Sequence, residues 1–404
     1  DGRGGFATTL MQVTVTGPPP PGAENRTTTF TGFAPIQAGG VTLSLNGWRC
    51  PRVLDWDGDG DLDLLIGHSG TVWRYLNTGS PTAPVFAAGV KVKANNSDIA
   101  LSGSVTIALA DLSGDGVQDL VAVDNSRKIR VYRNQSASNA VPVYAAAVFV
   151  KDQAGADFVL PDARFDIGDW NGDGLPDVVQ GTWDSEVRLY LNVGTASAPR
   201  YNLSQYQVLE TGAYNLYPRL FDLNRNGLLD YLRGINWGSV NYWLDNALYT
   251  GLGPRSGALT LTDSSGATPD LHALTDGAMI DFGAFNGDGV YDAVLGGHAG
   301  TGIYLAAGVR KTVADSLAEI EAIYDAYPTN LGAMLETNAQ ALLLQIRNAE
   351  NNLINHLFSA SLTERQTLFN QLAAHVQKYP FLQLAAPLNT TLYHHLPSIA
   401  GQNL

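Results

Sequence analysis

A single cysteine, Cys50, in 404 residues rules out an intramolecular disulfide framework and any metal site built from several thiolates, so Cys50 reads as a buried, small apolar residue. Long apolar runs are missing too. None approaches the roughly 20 residues that a membrane-spanning helix needs, which points to a soluble chain. Basic residues are scarce, 24 Lys and Arg against 38 Asp and Glu, and none of them forms a run. The net charge of −14 argues against nucleic acid or an anionic membrane surface as partner, because both are recognised by clustered cations. Catalytic signatures are absent as well: no nucleophile elbow, no HExxH, no phosphate loop, and no His, Ser and Asp set joined by spacing. The expectation is a protein that binds and does not catalyse.

What the chain does have is one acidic string used five times. DWDGDGDLD at Asp55 returns as DLSGDGVQD at Asp111, DWNGDGLPD at Asp169 and DLNRNGLLD at Asp222, with a degraded fifth copy, AFNGDGVYD, at Ala284. Oxygen ligands at loop positions 1, 3, 5 and 9, with a backbone carbonyl at 7, can surround a hard cation at Ca²⁺ distances, and glycine at position 6 permits the sharp turn. The first loop offers Asp55, Asp57, Asp59, Asp61 and Asp63; the second, Asp111, Ser113, Asp115, Val117 and Asp119; the third, Asp169, Asn171, Asp173, Leu175 and Asp177. Charge then falls away. The fourth keeps Asp222 and Asp230 around Asn224, Asn226 and Leu228, and the fifth loses its first ligand to Ala284, leaving Asn286, Asp288, Val290 and Asp292 unless Asp281 reaches back. Three to five Ca²⁺ ions are expected; five would offset ten of the fourteen excess negative charges. A helix-flanked EF-hand does not fit, since its twelfth position needs Glu and holds Ile66, Ala122, Gln180 and Arg233 here. The alternative is a cation-free Asx turn, which Asp and Gly also favour.

The loops recur at steps of 56, 58, 53 and 62 residues, a period in the range of propeller blades. Each unit reads as four strands. In the first these are Arg52 to Leu54, Leu62 to Gly67, Val72 to Leu76 and Val85 to Val92, separated by HSG and NTGSPTAP turns. Phe86 precedes Asp111 by 25 residues and Tyr144 precedes Asp169 by 25; Phe30 likewise precedes Asp55 by 25. Phe30 therefore opens a fourth strand whose own unit has no earlier strands, while the fifth unit stops after its third. The economical solution places residues 30 to 41 in the last blade, closing the ring and removing its exposed edges. The fold class is mainly β, a five-bladed propeller over residues 29–309 closed by an N-terminal strand. Residues 1–28 form an N-terminal strand and Pro-rich spacer, and 310–404 a C-terminal α-helical module with apolar stripes at Val313, Leu317, Ile320 and at Leu335, Leu342, Ile346.

The strand, DxDGDGxxDLLIG, VxxYLNxG and PxF pattern resembles the FG-GAP/VCBS repeats of integrin α-subunit propellers and many secreted bacterial proteins. The resemblance covers residues 30 to 308 and implies structural Ca²⁺ in each loop, a secreted or cell-surface location, and surfaces used in adhesion, carbohydrate binding or assembly. Integrin-type propellers have seven blades, two more than the five counted here. The expected function is an adhesion or assembly subunit, such as one that forms filaments, whose partner is a protein or another copy engaged through the N-terminal strand and helical tail. The alternatives are a lectin and a polysaccharide-active enzyme.

Aromatic and histidine positions sharpen those alternatives. Trp56 and Trp170, at loop position 2, are expected to pack between blades, whereas Trp73, Trp183, Trp237 and Trp243 vary in position and are candidates for a glycan-binding face or for core. His68 and His298 occupy matching GHSG and GHAG turns in blades that closure makes neighbours, which makes them one site or two surface turns. Sequons at Asn25, Asn95, Asn134, Asn202 and Asn389 would carry glycan in a secreted chain. The start at Asp1 fits a processed secreted protein and a trimmed one equally.

Overall fold

The computed structural model describes residues 28–309 apart from 137–140, 184–185, 213, 215, 224–227, 236–238, 244–256 and 287–289. The expected strand and spacer before residue 28 and the helical module of 310–404 lie outside the described residues, as do Asn224, Asn226, Asp288, Trp237, Asn25 and Asn389. Five blade sheets make up the described part. Blade one holds Cys50–Leu54, Asp63–His68, Thr71–Tyr75 and Val90–Lys91 in that order. Blade two repeats it with Thr106–Ala110, Asp119–Val123, Arg130–Tyr132 and Val148–Phe149, and blade three with Arg164–Gly168, Asp177–Gly181, Glu186–Tyr190 and Gln207–Thr211. Blade four uses Tyr217–Phe221, Asp230–Gly234, Val240–Trp243 and Gly257–Ala258.

The second strand of every blade is buried at each residue, because neighbouring blades cover both of its faces. This is why DLLIG and DLVAV read as continuous apolar runs and not as an in–out alternation. Burying each Leu, Val or Ile there contributes about 1.5–3 kcal/mol. Position 2 of the loops seals the joints between blades, as expected: Trp56 meets Tyr144 of the next blade with ring centroids 6.0 Å apart, and Phe285 meets Phe86 at the same distance. Leu112, Trp170 and Leu223 are buried at the equivalent place.

Blade five is completed from the other end of the chain. Met279–Gly283, Asp292–Gly296 and Tyr304–Gly308 pair in sequence, and Thr29–Pro35 then adds antiparallel to Tyr304–Gly308, with Phe30 opposite Gly308. The seam is built like the others. A segment from the preceding blade runs parallel beside each outer aromatic residue: Ala38 beside Phe86, Ala94 beside Tyr144, Asp152 beside Tyr201, and Leu261 beside Phe30. Arg49 adds a clamp across the closure. Its guanidinium is buried and donates to the carbonyls of Gly302 (3.1 Å), Gly300 (2.9 Å), Gly47 (2.6 Å) and Ala299, tying the last turn of blade five to the entry of blade one. Desolvation there pulls its pKa down to about 10, partly opposed by Tyr304.

The fourth strand corrects the sequence reading. Val85 to Val92 is not one regular strand: Phe86 stands opposite Asn77 and Val90 opposite Arg74, so four steps on the outer segment face three on its neighbour. That is a one-residue bulge. It falls at Ala88 and Gly89, where a Cβ on Gly89 would sit 2.6 Å from the Tyr75 ring, so only glycine lets the backbone pass. Thr29–Pro35 carries the same kind of register shift between Thr31 and Ala34. One short helix, Leu271–Thr275, leads into blade five; the Asp270 side chain accepts from Ala273 N–H at 3.1 Å. Among the described residues no helix is long and apolar enough to cross a membrane.

Candidate metal centres and the channel network

Every acidic loop joins the first strand of a blade to the second, so all five lie at the same end of the propeller. In loop one, carboxylate oxygens of Asp55, Asp57 and Asp63 lie within 4.8 Å of one another, and Asp57 Oδ1 is buried with no hydrogen-bond partner. Three converging anionic oxygens, one without a donor, form an arrangement that a hard divalent cation relieves and that is otherwise repulsive. Position 1 is held by the loop backbone. Asp55 accepts from Gly58 N–H (2.7 Å) and Gly60 N–H (3.1 Å), Asp111 from Gly114 (2.6 Å) and Gly116 (2.8 Å), and Asp169 from Gly172 and Gly174 (both 2.8 Å). Although burial opposes it, this set of amides holds the Asp111 carboxyl below its ordinary pKa. Position 5 takes the amide of position 7: Asp61 to Asp59, Val117 to Asp115 and Leu175 to Asp173, each at 2.9 Å.

Position 9 has a second role that spacing did not reveal. Asp63 accepts from Trp56 N–H at 2.7 Å with one oxygen and from Asn77 N–H at 2.6 Å with the other. Asp119 does the same with Leu112 and Asn134, Asp177 with Trp170 and Asn192, and Asp292 with Phe285 and Gly308. Asp230 accepts from Leu223 N–H at 2.8 Å. All five aspartates are buried, and in blades one, two, three and five they staple the start of the loop to the end of the third strand, so they brace the candidate cage as well as facing it. In blade five the staple reaches Gly308, the residue opposite Phe30, which makes the closing strand part of the same construction. Burial, with Asp57 and Asp59 nearby, pushes the Asp63 carboxyl up to about 6 against its two amide donors; Asp177 is raised likewise to about 6, and Asp119 is also raised. In loop five, Asn286 Nδ2 donates to Asp292 at 3.3 Å and Val290 is buried, while in loop four Leu228 is half-buried beside Asp222 and Asp230.

Asp281 does not reach back to loop five. It belongs to a buried network across the centre of the ring. The residue three places before each loop is Arg52, Ala108, Asp166, Arg219 or Asp281, the middle of each innermost strand. Arg52 donates to Asp166 at 3.1 Å; Arg219 bridges Asp166 at 2.8 Å and Asp281 at 2.5 Å. Leu220 N–H shares Asp166 Oδ2 with Arg219, and Val53 N–H takes the second oxygen of Asp281, both at 2.8 Å. Burial alone would raise the Asp166 pKa, but the flanking Arg219 and Arg52 hold it below the usual carboxylate range.

Other candidates separate. Trp243 is buried against Tyr231, Trp73 stacks on His68 with centroids 6.1 Å apart, and Trp183 is 60% exposed. His298 meets Trp48 at 6.3 Å, so the two histidines address different aromatic neighbours. The Asn134 sequon is 3% exposed with its amide donated to Gln118 O, which leaves a glycan no room in the folded protein.

A family model described as FG-GAP-like repeat matches residues 55–122 and 169–233. No curated protein matches the chain. Similar solved structures include an Agrocybe aegerita lectin, described for specific recognition of non-reducing terminal N-acetylglucosamine, at 18% identity over 66% of this chain and 64% of that one, TM-score 0.34. A TcdB2-TccC3-Cdc42 structure shows 14% identity over 68% of this chain and 14% of that one, TM-score 0.34. A calcium structure of a Trichoderma reesei protein of carbohydrate-active enzymes family AA12 shows 11% identity over 69% of this chain and 98% of that one, TM-score 0.34. The chain thus spans less than two thirds of the first two, and likenesses this loose transfer no function. The described residues thus form a five-bladed β-propeller that carries FG-GAP-like repeats in two regions, residues 55–122 and 169–233.

Proposed function

We propose that the chain is an extracellular, Ca²⁺-stabilised binding propeller that acts as an adhesion or assembly subunit and not as an enzyme. The observation that carries the calcium reading is the unpartnered, buried Asp57 Oδ1 beside the carboxylates of Asp55 and Asp63. Asp55, Asp57, Asp59 and Asp63 would hold the ion in loop one, with Asp111, Ser113, Asp115 and Asp119 in loop two and Asp169, Asn171, Asp173 and Asp177 in loop three. An ion there offsets the carboxylate repulsion and rigidifies the connection between a blade's first two strands. Millimolar Ca²⁺ outside cells fills sites of modest affinity, which supports an extracellular setting. The assembly reading rests on the flanking segments as partner-seeking elements; a chain lacking residues 1–24 that self-associates as the full chain does would remove that support.

Melting in Ca²⁺ and in chelator tests the calcium reading. A ligand that binds only the folded state raises the melting temperature by mass action. The Asp63 and Asp177 carboxyls have folded pKa values of about 6, above the unfolded value. Their contribution in the metal-free protein is therefore present at low pH and lost as pH rises through about 4 to 6. The Ca²⁺-induced gain should be larger at about pH 7 than at about pH 5. Asp57→Ala should shrink that gain with little effect in chelator. Asp63→Asn, which faces one amide donor with another N–H, should lose about 1–3 kcal/mol in both conditions. Equal melting in Ca²⁺ and chelator would refute the reading.

A further inference from the structure

At the end of the propeller opposite the acidic loops, a cleft of about 330 Å³ is lined by Trp48 at the entry of blade one and by Asn125, Arg127, Asp162, Arg164 and Trp183 of blades two and three. Its floor is Arg164, the first residue of its strand, whose side chain is only 3% exposed. The guanidinium carbon lies 4.7 Å from the Trp48 ring centre and 5.2 Å from that of Trp183. One Arg164 amine donates to Asp162 at 2.6 Å, but Nε is buried with no acceptor. At the rim stands Arg127. Its neighbours in sequence are matched, Lys128 to Asp157 and Arg130 to Asp124, whereas the Arg127 guanidinium meets the Pro161 carbonyl, at 3.1 Å, and no carboxylate among the described residues. Its φ of 62° is a left-handed conformation that a non-glycine residue adopts at a cost, and backbone bonds from Arg127 N–H to Asp124 O and from Leu160 N–H to Arg127 O fix it there.

Two arginines and one aspartate leave this cleft with a net positive charge in a chain of net charge −14. The same cleft holds the one tryptophan among the described residues that is more than half exposed, Trp183. An exposed indole offers a flat apolar face to the C–H side of a sugar ring, and a guanidinium forks onto a carboxylate. We propose that this cleft binds a carboxylate-bearing pyranose residue of an acidic glycan, its ring on Trp183 and its carboxylate on Arg127. The chain's net charge of −14 repels such a ligand overall, so a cleft of opposite sign favours docking there. The site rests on the non-catalytic binding reading above and is independent of the calcium loops.

The test is calorimetric titration of the full chain, in Ca²⁺, with a glucuronate-containing tetrasaccharide and with its methyl ester, which keeps the rings and removes the charge. The acid form should bind, and the ester about tenfold more weakly or less. Trp183→Ala should weaken binding of the acid form by at least about tenfold, and Arg127→Ala should reduce it to the level of the ester. Both side chains are exposed, so both variants should melt as the parent does. No binding of the acid form, equal binding of acid and ester, or undiminished binding by Trp183→Ala would overturn the site. Shortened oligosaccharide after titration would overturn the non-catalytic reading and leave the site standing.

Discussion

Asp166→Ala is expected to lower the unfolding free energy by roughly 3–5 kcal/mol, because removing one member of a buried ion network leaves its partners charged and uncompensated. Asp166 is fully buried between Arg52 and Arg219, and its carboxylate also accepts Leu220 N–H. After the substitution Arg219 retains Asp281, but among the described residues Arg52 keeps only the Pro51 carbonyl as an acceptor. Urea denaturation measures the loss. The double replacement Arg52→Met with Asp166→Leu should recover most of it, since a buried ion pair exchanged for packed apolar groups is often near neutral. A single-variant loss below about 1 kcal/mol would mean that water reaches the centre of the ring and screens the network.

Phe30→Ala is expected to cost a similar amount, roughly 3–5 kcal/mol, from the lost transfer energy plus the cavity left behind. Phe30 is fully buried, 6.0 Å from the Phe282 ring, in the cluster that includes Phe33, Leu261 and Leu295. Its importance is topological as well. The strand that carries it is joined to the last blade by hydrogen bonds and not by chain continuity, so weakening it weakens the closure of the ring. Denaturant melts of Phe30→Ala should show this loss. A loss near that of an exposed substitution, within about 0.5 kcal/mol, would mean that Thr29–Pro35 does not close the ring in solution.

Both variants lie where the sequence was unequally legible. The closure could be read, because a 25-residue offset from outer aromatic to next loop is a property of the repeat, and Phe30 obeys it without a blade of its own. The loops were legible for the same reason, their acidic positions being close in sequence. The channel network was not, since Arg52, Asp166, Arg219 and Asp281 come from four blades and no local pattern joins them. The signal was present all the same: a charged residue three places before the loop, in the middle of the innermost strand, in four of five repeats. The staple at position 9 was half-read, as a metal ligand only, because its amide donors lie 7 and about 15 residues away on other turns. The bulge in the outer strand escaped notice because Val85 to Val92 looks uniformly strand-like; only the Tyr75 ring over Gly89 explains it. Trp183 was one of four varying tryptophans, and burial alone distinguishes it from Trp243.

The central claim is that the acidic loops are cation sites and not Asx turns that merely resemble them. Calorimetric titration of the metal-stripped protein with CaCl₂ tests this most directly. The account predicts saturable binding of about three ions or more, one fewer for Asp57→Ala, with affinity falling from the carboxylate-rich first loop onward. A flat titration of a folded, metal-stripped protein would contradict it, and would leave the five loops as hydrogen-bonded turns.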